Sequence, residues 1–364
     1  MRVTIRPGGR VRGTCRVPGD KSIAHRWLIL AATARGTTAI LDPPRSLDVR
    51  STASCLARVA PAARPSLEDW VSNAGASTDR DGFTWHGGGA EDDAVDLEVE
   101  GEGRIGLAAS RDRLDCGNSG TTMRLLAGVL AAASFRSVLV GDPSLSVRPM
   151  ERVAEPLRRM GALVRTSGGF PPVEIVGGGL HGIRYETPVP SAQIKGAVLL
   201  AGLAAEGPTT VVEAAPTRDH TERALSALGA PVRANDGRVE VSAFQHDGFR
   251  ARVPGDVSSA TFVVAAAAVT GGEVEVHGVG LNPSRLGFVD VLRRMGVRVD
   301  LAPSGEELGE PVGVLRASVT GGLRGTTVEP DELPLVIDEV PVLAAVAAHA
   351  GGESWFGGAG ELRV

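Results

Sequence analysis

GDKSIAHRWLILAATARGTTAIL, residues 19–41, is the stretch whose reading decides the fold. A Gly-containing polar turn leads into apolar residues at helical spacing, then a small-residue break, then a β-branched strand. The same template recurs as GNSGTTMRLLAGVLAAASFRSVLV from Gly117, PSAQIKGAVLLAGLAAEGPTTVVE from Pro190 and GDVSSATFVVAAAAVTGGEVEVHGV from Gly255. IDEVPVLAAVAAHAGGESWFGGA from Ile337 is a fifth copy. A second helix–strand pair follows three of them, in EPLRRMGALVRTSG, RALSALGAPVRAND and DVLRRMGVRVDLAP. Each pair carries a glycine suited to a helix C-cap, at Gly161, Gly229 and Gly296. The unit thus reads strand–helix–strand–helix. It recurs about every 70–100 residues, too long for most solenoids, and predicts compact α/β domains with helices packed on sheets.

The sequence Val-Pro-Gly-Asp occurs at Val17–Asp20 and again at Val253–Asp256. Identical turn chemistry at distant points suggests that the chain leaves one globule at the first and returns at the second. The expected division is an inserted domain over 20–252 with three repeats, and a discontinuous one from 1–19 plus 253–364. The segment from Ala60 to Asp115 is the least regular; its GGGAEDDAVDLEVEGEGR reads as a solvated connection or surface hairpin. The fifth copy has no second helix–strand pair after it, so the discontinuous domain reads as one and a half units, an incomplete barrel.

Composition narrows the function. The 364 residues are 43% hydrophobic and 22% charged, which excludes disorder as the main state. Gly (48) and Pro (23) together make just under a fifth of the chain, a sign of many turns rather than low complexity. Aromatics at 4% and a net charge of −5 argue against base-stacking platforms and against a non-specific polyanion binder, so no nucleic-acid partner is expected. Cys15, Cys55 and Cys116 lack CxxC spacing, so neither a disulfide framework nor a metal site is expected, and a reducing cytoplasm is. The N-terminal MRVTIRPGGRVRGT has no apolar core of a signal peptide, and apolar runs such as 262–269 fall short of the roughly 18 residues a membrane span needs.

Four turns place polar or cationic residues at expected helix starts. Lys21, Ser22 and Arg26 follow Asp20; Asn118, Ser119, Gly120, Thr121 and Thr122 precede Arg124; Ser191, Ala192 and Gln193 precede Lys195; Ser258 and Ser259 open the fourth. Ser, Thr, Asn and Asp are the preferred N-caps anywhere, so each turn alone reads as structural. Asp219 and Glu222 likewise have the spacing of a capping box. Together the turns say more. A cation near a helix start opposes the macrodipole at a cost of some tenths of a kcal/mol, which a bound anion offsets. The inference is a site for a small, multiply anionic substrate. Phosphate-loop and dinucleotide fingerprints are absent, as are GxSxG, HExxH and EF-hand loops. Asp338 and Glu339 stand in an apolar run, where a carboxylate is suited to acid–base work; the competing reading is that Asp338 only caps the helix starting near Val340.

The motifs PGDKSIAHRWLILAA, LDCGNSGTTMRLLAG, GDPSLSVRPMERVAEPLRRMGA, PSAQIKGAVLLAGL, TRDHTERAL, VPGDVSSATF and IDEVPVLAA, in this order, closely resemble the 5-enolpyruvylshikimate-3-phosphate synthase (3-phosphoshikimate 1-carboxyvinyltransferase) family. The resemblance runs from Pro18 to Val364, loosest after Ala60. It implies a two-domain inverse α/β barrel built from βαβαββ repeats. It implies transfer of the carboxyvinyl group of phosphoenolpyruvate to the 5-hydroxyl of shikimate 3-phosphate, with release of phosphate and without cofactor or metal. This belongs to the shikimate pathway of aromatic amino acid biosynthesis. A cytoplasmic monomer whose partners are those two substrates, without nucleic acid or membrane, is the expectation.

Carried over by motif, Lys21 resembles the residue touching both substrates, and Ser22 and Arg26 resemble shikimate-phosphate binders. Asn118, Gly120 and Arg148 fall to the phosphoenolpyruvate side, and Arg124 is a further substrate-binding residue. Ser191, Ala192, Gln193 and Arg218 fall to the shikimate phosphate, with Gln193 near both ligands. Asp338 resembles the base on the 5-hydroxyl, with Glu339 beside it as a second catalytic carboxylate. Gly120 matches the position that decides glyphosate sensitivity, in its sensitive form. The family pattern continues beyond GluLeuArgVal with Lys-Glu-[Ser/Thr]-Asp-Arg and Gly-Asp-His-Arg motifs, so a C-terminally truncated sequence is expected. Such a chain is expected to bind shikimate 3-phosphate weakly, to turn over poorly or not at all, and to expose apolar surface. Two alternatives stand beside this: a non-catalytic anion-binding remnant, and the sibling transferase acting on UDP-N-acetylglucosamine. The first motif, LysSerIleAlaHisArg, departs from the sibling's LysAsnAla.

Overall fold

The computed structural model describes residues 8–73 and 96–363. Its elements group into units of one plan. β1 (Arg12–Arg16) opens the chain; α1 (Lys21–Thr33), β2 (Arg35–Leu41), α2 (Leu47–Val59), α3 (Arg64–Ser72) and β3 (Leu97–Glu102) form the first unit. β4 (Leu114–Asp115), α4 (Gly120–Ala131), β5 (Arg136–Val140), α5 (Glu151–Arg159), β6 (Leu163–Ser167) and β7 (Phe170–Val176) form the second. β8 (Arg184–Glu186), α6 (Ala192–Gly202), β9 (Thr209–Val212), α7 (His220–Ala227), β10 (Arg233–Asn235) and β11 (Arg238–Val241) form the third. β12 (Arg250–Arg252) then leads to α8 (Val257–Thr270), β13 (Glu273–Gly280), α9 (Gly287–Arg294), β14 (Arg298–Glu307) and β15 (Glu310–Ser318). β16 (Thr327–Val328), α10 (Leu333–Val336), α11 (Val340–Ala347) and β17 (Trp355–Phe356) follow, with a short 3-10 helix (Ala359–Arg363) after them.

Three sheets share one strand order: β4-β5-β7-β6, β8-β9-β11-β10 and β1-β13-β15-β14. In each, the first pair is parallel across a helix and the others are antiparallel. Two strands have traded places. β1 precedes α1 in the chain but pairs with β13, after α8; β12 precedes α8 but pairs with β2, after α1. The chain therefore crosses between lobes twice, at the two Val-Pro-Gly-Asp turns. There Asp20 N–H donates to Pro254 C=O at 2.7 Å and Asp256 N–H donates to Pro18 C=O at 2.8 Å.

The helices after each first strand are apolar all round, and such helices belong in a core. Residues 23–33 of α1 are all buried, as is nearly all of α4 and α6. The strands wrap outside with alternating faces: in β3, Leu97, Val99 and Gly101 point in while Glu98, Glu100 and Glu102 point out. This is the two-domain α/β fold of repeated units that the motifs imply. One core spans Ile23 to Val253; a second gathers Cys15 with Val257 to Val346. α4 and α6 cross so closely that a Cβ on Gly128 would lie 2.1 Å from the Ala197 carbonyl oxygen, so glycine is required there. Gly161, Gly229 and Gly296 follow their helices at φ of 110°, 83° and 93°, the left-handed turn expected of them.

α8 differs from its three counterparts. Phe262 is 61% exposed, and among the described residues the last unit carries only two short paired strands, β16 and β17, where the other units carry sheets of three or four strands.

Two expectations need correction. The stretch after Ala60 is not merely a solvated connection. It holds α3 and β3, and its acidic composition hid the inward-facing Leu97 and Val99. Residues 74–95, including GlyGlyGlyAlaGluAspAspAlaVal, lie outside the described residues. The capping box at α7 is not formed: Asp219 accepts from Arg223 and Asn282, and Glu222 pairs with Lys195. Both carboxylates are drawn off by cations and amides distant in sequence.

Between the crossings lies buried Arg285. It reaches Asp20, the N-cap of α1, at 2.8 Å and Asp256, the N-cap of α8, at 3.4 Å. Burial opposes ionisation of Asp20, but Arg285 and other cations hold it well below the usual carboxylate range. Burial and then the Asp20 carboxylate push Asp256 up to about 6. An acid whose pKa is higher folded than unfolded binds more protons when folded, so stability falls as pH rises between about 4 and 6 and stays lower above. Asn caps a helix as well as Asp. Asp256→Asn is therefore expected to raise Tm at pH 7.5 by about 1–3 °C and to give no gain at pH 4, checked by thermal unfolding at both values.

Candidate active site

The starts of α1, α4 and α6 open toward one side of the first lobe, and each is capped as its sequence dictates. Asp20 accepts from Ser22 N and Ile23 N, Ser119 from Thr122 N, and Ser191 from Ile194 N. Their free N–H groups and positive dipole ends leave a field that favours anions.

At the α4 start, Asn118 donates to both Asp142 oxygens at 3.0 and 2.8 Å and accepts from Arg148 at 2.6 Å. Arg124 donates to the side-chain oxygen of Gln193, whose amide donates to Thr121 Oγ1 at 2.8 Å. The first turns of α4 and α6 are tied together in this way. Gly120 sits under both guanidinia: a Cβ there would lie 2.9 Å from Arg124 Nη1 and 3.6 Å from Arg148 Nη1. Burial, then the charges of Arg148 and Arg152, push Arg124 down to about 10. Asp142 is occupied by Asn118 and the Leu145 amide, and three crowded guanidinium groups beside it invite a bound anion.

Beside this cradle a cavity of about 440 Å³ lies between the lobes, lined by Ser191, Ala192, Gln193 and Arg218 of the first and by Ile337 and Asp338 of the second. Arg218 and Asp338 form an ion pair across it. Burial raises Asp338, but the Arg218 charge and hydrogen bond win and hold it below the ordinary range, so it is a carboxylate at neutral pH. Asp338 does not cap α11, whose N-terminus has no side-chain cap at all. Lys21, with its side chain 57% exposed, reaches Asp48 at 3.4 Å and is close enough to depress Asp338 further.

Ser191, Ala192, Gln193, Arg218 and Asp338 thus line one cavity. Arg124 joins it through Gln193; Asn118, Gly120 and Arg148 adjoin through the cradle; and Lys21 lies within electrostatic reach of Asp338. Ser22 stands at the same helix start, next to Lys21. Two residues depart. Arg26 is buried beneath the crevice, donating to Thr221 Oγ1 at 2.8 Å and to the Ser22 carbonyl at 2.7 Å. Glu339 is turned inward: it is 1% exposed, accepts from Ser258 Oγ, and is raised by burial. Its place is the Arg285 cluster, not the crevice. Sequence reading missed Asp48 and Asp142, the acids that hold Lys21 and Asn118. The GDPS motif held a signal for Asp142, but its partner is 24 residues away. A separate groove of about 410 Å³ on the outer face of β5, β6 and β7 is lined by four arginines, but its acids, Asp112 and Glu174, are already paired and no helix starts there.

The EPSP synthase (3-phosphoshikimate 1-carboxyvinyltransferase) family model matches residues 5–70 and 87–364. The chain belongs to this family. The 3-phosphoshikimate 1-carboxyvinyltransferase of Acidithiobacillus ferrooxidans is 44% identical across all of this chain and 78% of its own length. That of Thermus thermophilus is 44% identical over 99% of this chain and 79% of its own. The crystal structure of EPSP synthase from Acinetobacter baumannii superposes at a TM-score of 0.79, with 39% identity, over 98% of this chain and 76% of that one. These relatives carry the shikimate-directed name, which favours that reading over the UDP-N-acetylglucosamine alternative. No helix among the described residues is long and apolar enough to cross a membrane.

The geometry at Gly120 yields a prediction. Gly120→Ala must displace the Arg124 guanidinium, since 2.9 Å is closer than real Cβ contacts come, and puts a methyl against Arg148 at 3.6 Å. Affinity for a phosphate-bearing ligand of this cradle is expected to fall about tenfold while Tm stays within about 2 °C, as measured by calorimetric titration and thermal unfolding.

Proposed function

We propose that the crevice binds shikimate 3-phosphate and phosphoenolpyruvate together and transfers the carboxyvinyl group to the 5-hydroxyl, releasing phosphate. The observation that carries this reading is the Arg218–Asp338 pair, which sets a cation of one lobe and a carboxylate of the other across a cavity of about 440 Å³. That volume suits a small polar substrate. Family membership supplies the two substrates.

Ser191, Ala192, Gln193 and Arg218 would take the shikimate phosphate, with Ser22 at its edge. Asn118, Gly120, Arg124 and Arg148 would take the phosphate of phosphoenolpyruvate, beside the α4 N-terminus. Gln193 joins the two groups, and Lys21 overlooks both. Phosphate entering against Arg218 frees Asp338 from its ion pair and leaves an ionised carboxylate beside the cyclohexene ring. Asp338 then accepts the 5-hydroxyl proton as that oxygen attacks the cationic carbon formed when the enol carbon is protonated. Loss of phosphate together with one proton of the new methyl group re-forms the double bond and completes the transfer, with no net change in protons on the carbon. Positioning two polyanions on fixed cations supplies most of what the residues do.

The proposed division is 20–252 against 1–19 plus 253–364, supported by the two separate cores and the paired crossings. A cytoplasmic monomer is proposed; three buried free cysteines fit a reducing compartment. The test couples phosphate release to the presence of both substrates, with calorimetric titration of shikimate 3-phosphate beside it. Removing a positioned base costs about 10²-fold or more. Asp338→Asn is expected to lose that much turnover relative to the unmodified chain while keeping shikimate 3-phosphate affinity within about threefold. Failure of shikimate 3-phosphate to bind would sink the proposal.

A further inference from the structure

Of 38 cationic residues in the chain, only Lys21 and Lys195 are lysines. Lys21 stands at the mouth of the crevice. Lys195 is 1% exposed and lies beneath it. Its ammonium sits 2.7 Å from Glu213 Oε2 and 2.6 Å from Glu222 Oε1, with both carboxylate side chains less than a tenth exposed.

These two acids flank Arg218 in sequence. Glu213 leaves the end of β9 and accepts from Thr217 Oγ1 with its other oxygen, which gathers the turn 213–217 just before Arg218. Glu222 lies in the first turn of α7, just after it. Lys195 itself stands one residue beyond Ile194 on α6, whose first turn presents Ser191, Ala192 and Gln193 to the cavity. One ammonium therefore pins both sides of the Arg218 turn to the helix that forms the opposite wall. The packing is tight: a Cβ on Gly196 would come within 2.9 Å of Thr221 Oγ1. A compact ammonium fits between two converging carboxylates, whereas the long planar guanidinium used nearly everywhere else in this chain does not.

Stability alone is a poor reason to keep such a cluster, because buried ion pairs replaced by apolar residues often leave stability unchanged or improved. Burial also raises Glu222, and its Oε2 has no hydrogen-bond partner, so the arrangement costs something. It lies, moreover, where an uncompensated pair of carboxylates would repel a phosphate. Resting on the reading of the crevice given above, we infer that Lys195 is a positioning residue for the phosphate-binding wall: it fixes the separation of Arg218 from Ser191–Gln193 and cancels the negative charge under the pocket.

The test must separate position from charge and from folding. Lys195→Met combined with Glu222→Gln removes one charge of each sign and leaves the cluster's net charge unchanged. In the full chain this double variant is expected to melt cooperatively and to bind shikimate 3-phosphate about tenfold more weakly. Binding of shikimate, which lacks the phosphate, is expected to stay within about twofold of the unmodified chain, followed by ligand-observed NMR. Glu213→Gln, which cuts the tie to the turn while leaving Lys195 paired with Glu222, carries the same comparison in a second background. Unchanged shikimate 3-phosphate affinity in both variants overturns the inference, and so does an equal loss for both ligands, which a merely structural role would give. If the unmodified chain fails to bind shikimate 3-phosphate, the reading of the crevice falls first and takes this inference with it.

Discussion

Two backbone crossings and one guanidinium govern the rest of the molecule. Asp20 and Asp256 donate their amides across to Pro254 and Pro18, and Arg285 reaches both carboxylates. This junction puts the N-termini of α1 and α8 side by side. It also brings α11 and its preceding Asp338 over the helix starts of the first lobe, where Arg218 meets it. Asp20 has two tasks at once. Its Oδ1 caps α1, while its Oδ2 holds Arg285. Removing that single carboxylate would strip a helix of its cap and leave a buried guanidinium with a weaker partner.

The crevice follows from a repeated local solution. Each apolar core helix begins at a capped turn, and burial of the helix on all sides forces its start to the lobe's surface. Three such starts in one lobe give three sets of free N–H groups facing one way. The cations then sort by depth. Arg26 and Lys195 are buried in the floor and neutralised by hydroxyls, carbonyls and carboxylates, whereas Arg124, Arg148 and Lys21 remain at the opening. The sorting decides which charges meet ligand and which hold the wall that ligand touches.

Much of this was legible in the residues, for identifiable reasons. Caps, terminal glycines and apolar helical runs are local signals, so Asp20, Ser119, Ser191 and Gly161 could be placed from neighbours a few positions away. The twofold Val-Pro-Gly-Asp marked the crossings. What escaped was long-range or masked by composition. β3 reads as acidic coil unless its inward Leu97 and Val99 are paired with β2, which lies on the far side of α2 and α3 in the chain. Asp219 and Glu222 have capping-box spacing, but Arg223, Asn282 and Lys195 compete for them and win. Glu339 neighbours Asp338 in sequence, yet one step along the backbone turns it from the crevice to Ser258. Adjacent carboxylates were indistinguishable until the direction of each was known.

The exchange of β1 and β12 between sheets bears on how the chain is made. The sheet of α1 is unfinished until Arg250–Arg252 has left the ribosome, and β1 waits without a partner until Glu273–Gly280 follows. For more than two hundred residues of vectorial synthesis, β1 and the β12-facing side of β2 lack their native neighbours, and edges of that kind recruit foreign strands. Residues 20–252 hold every strand of their first sheet but close it only with their last strand, so completion of this lobe comes late in synthesis and precedes the pairing of β1. A nascent chain of this topology is a natural client for factors that shield exposed strands during translation.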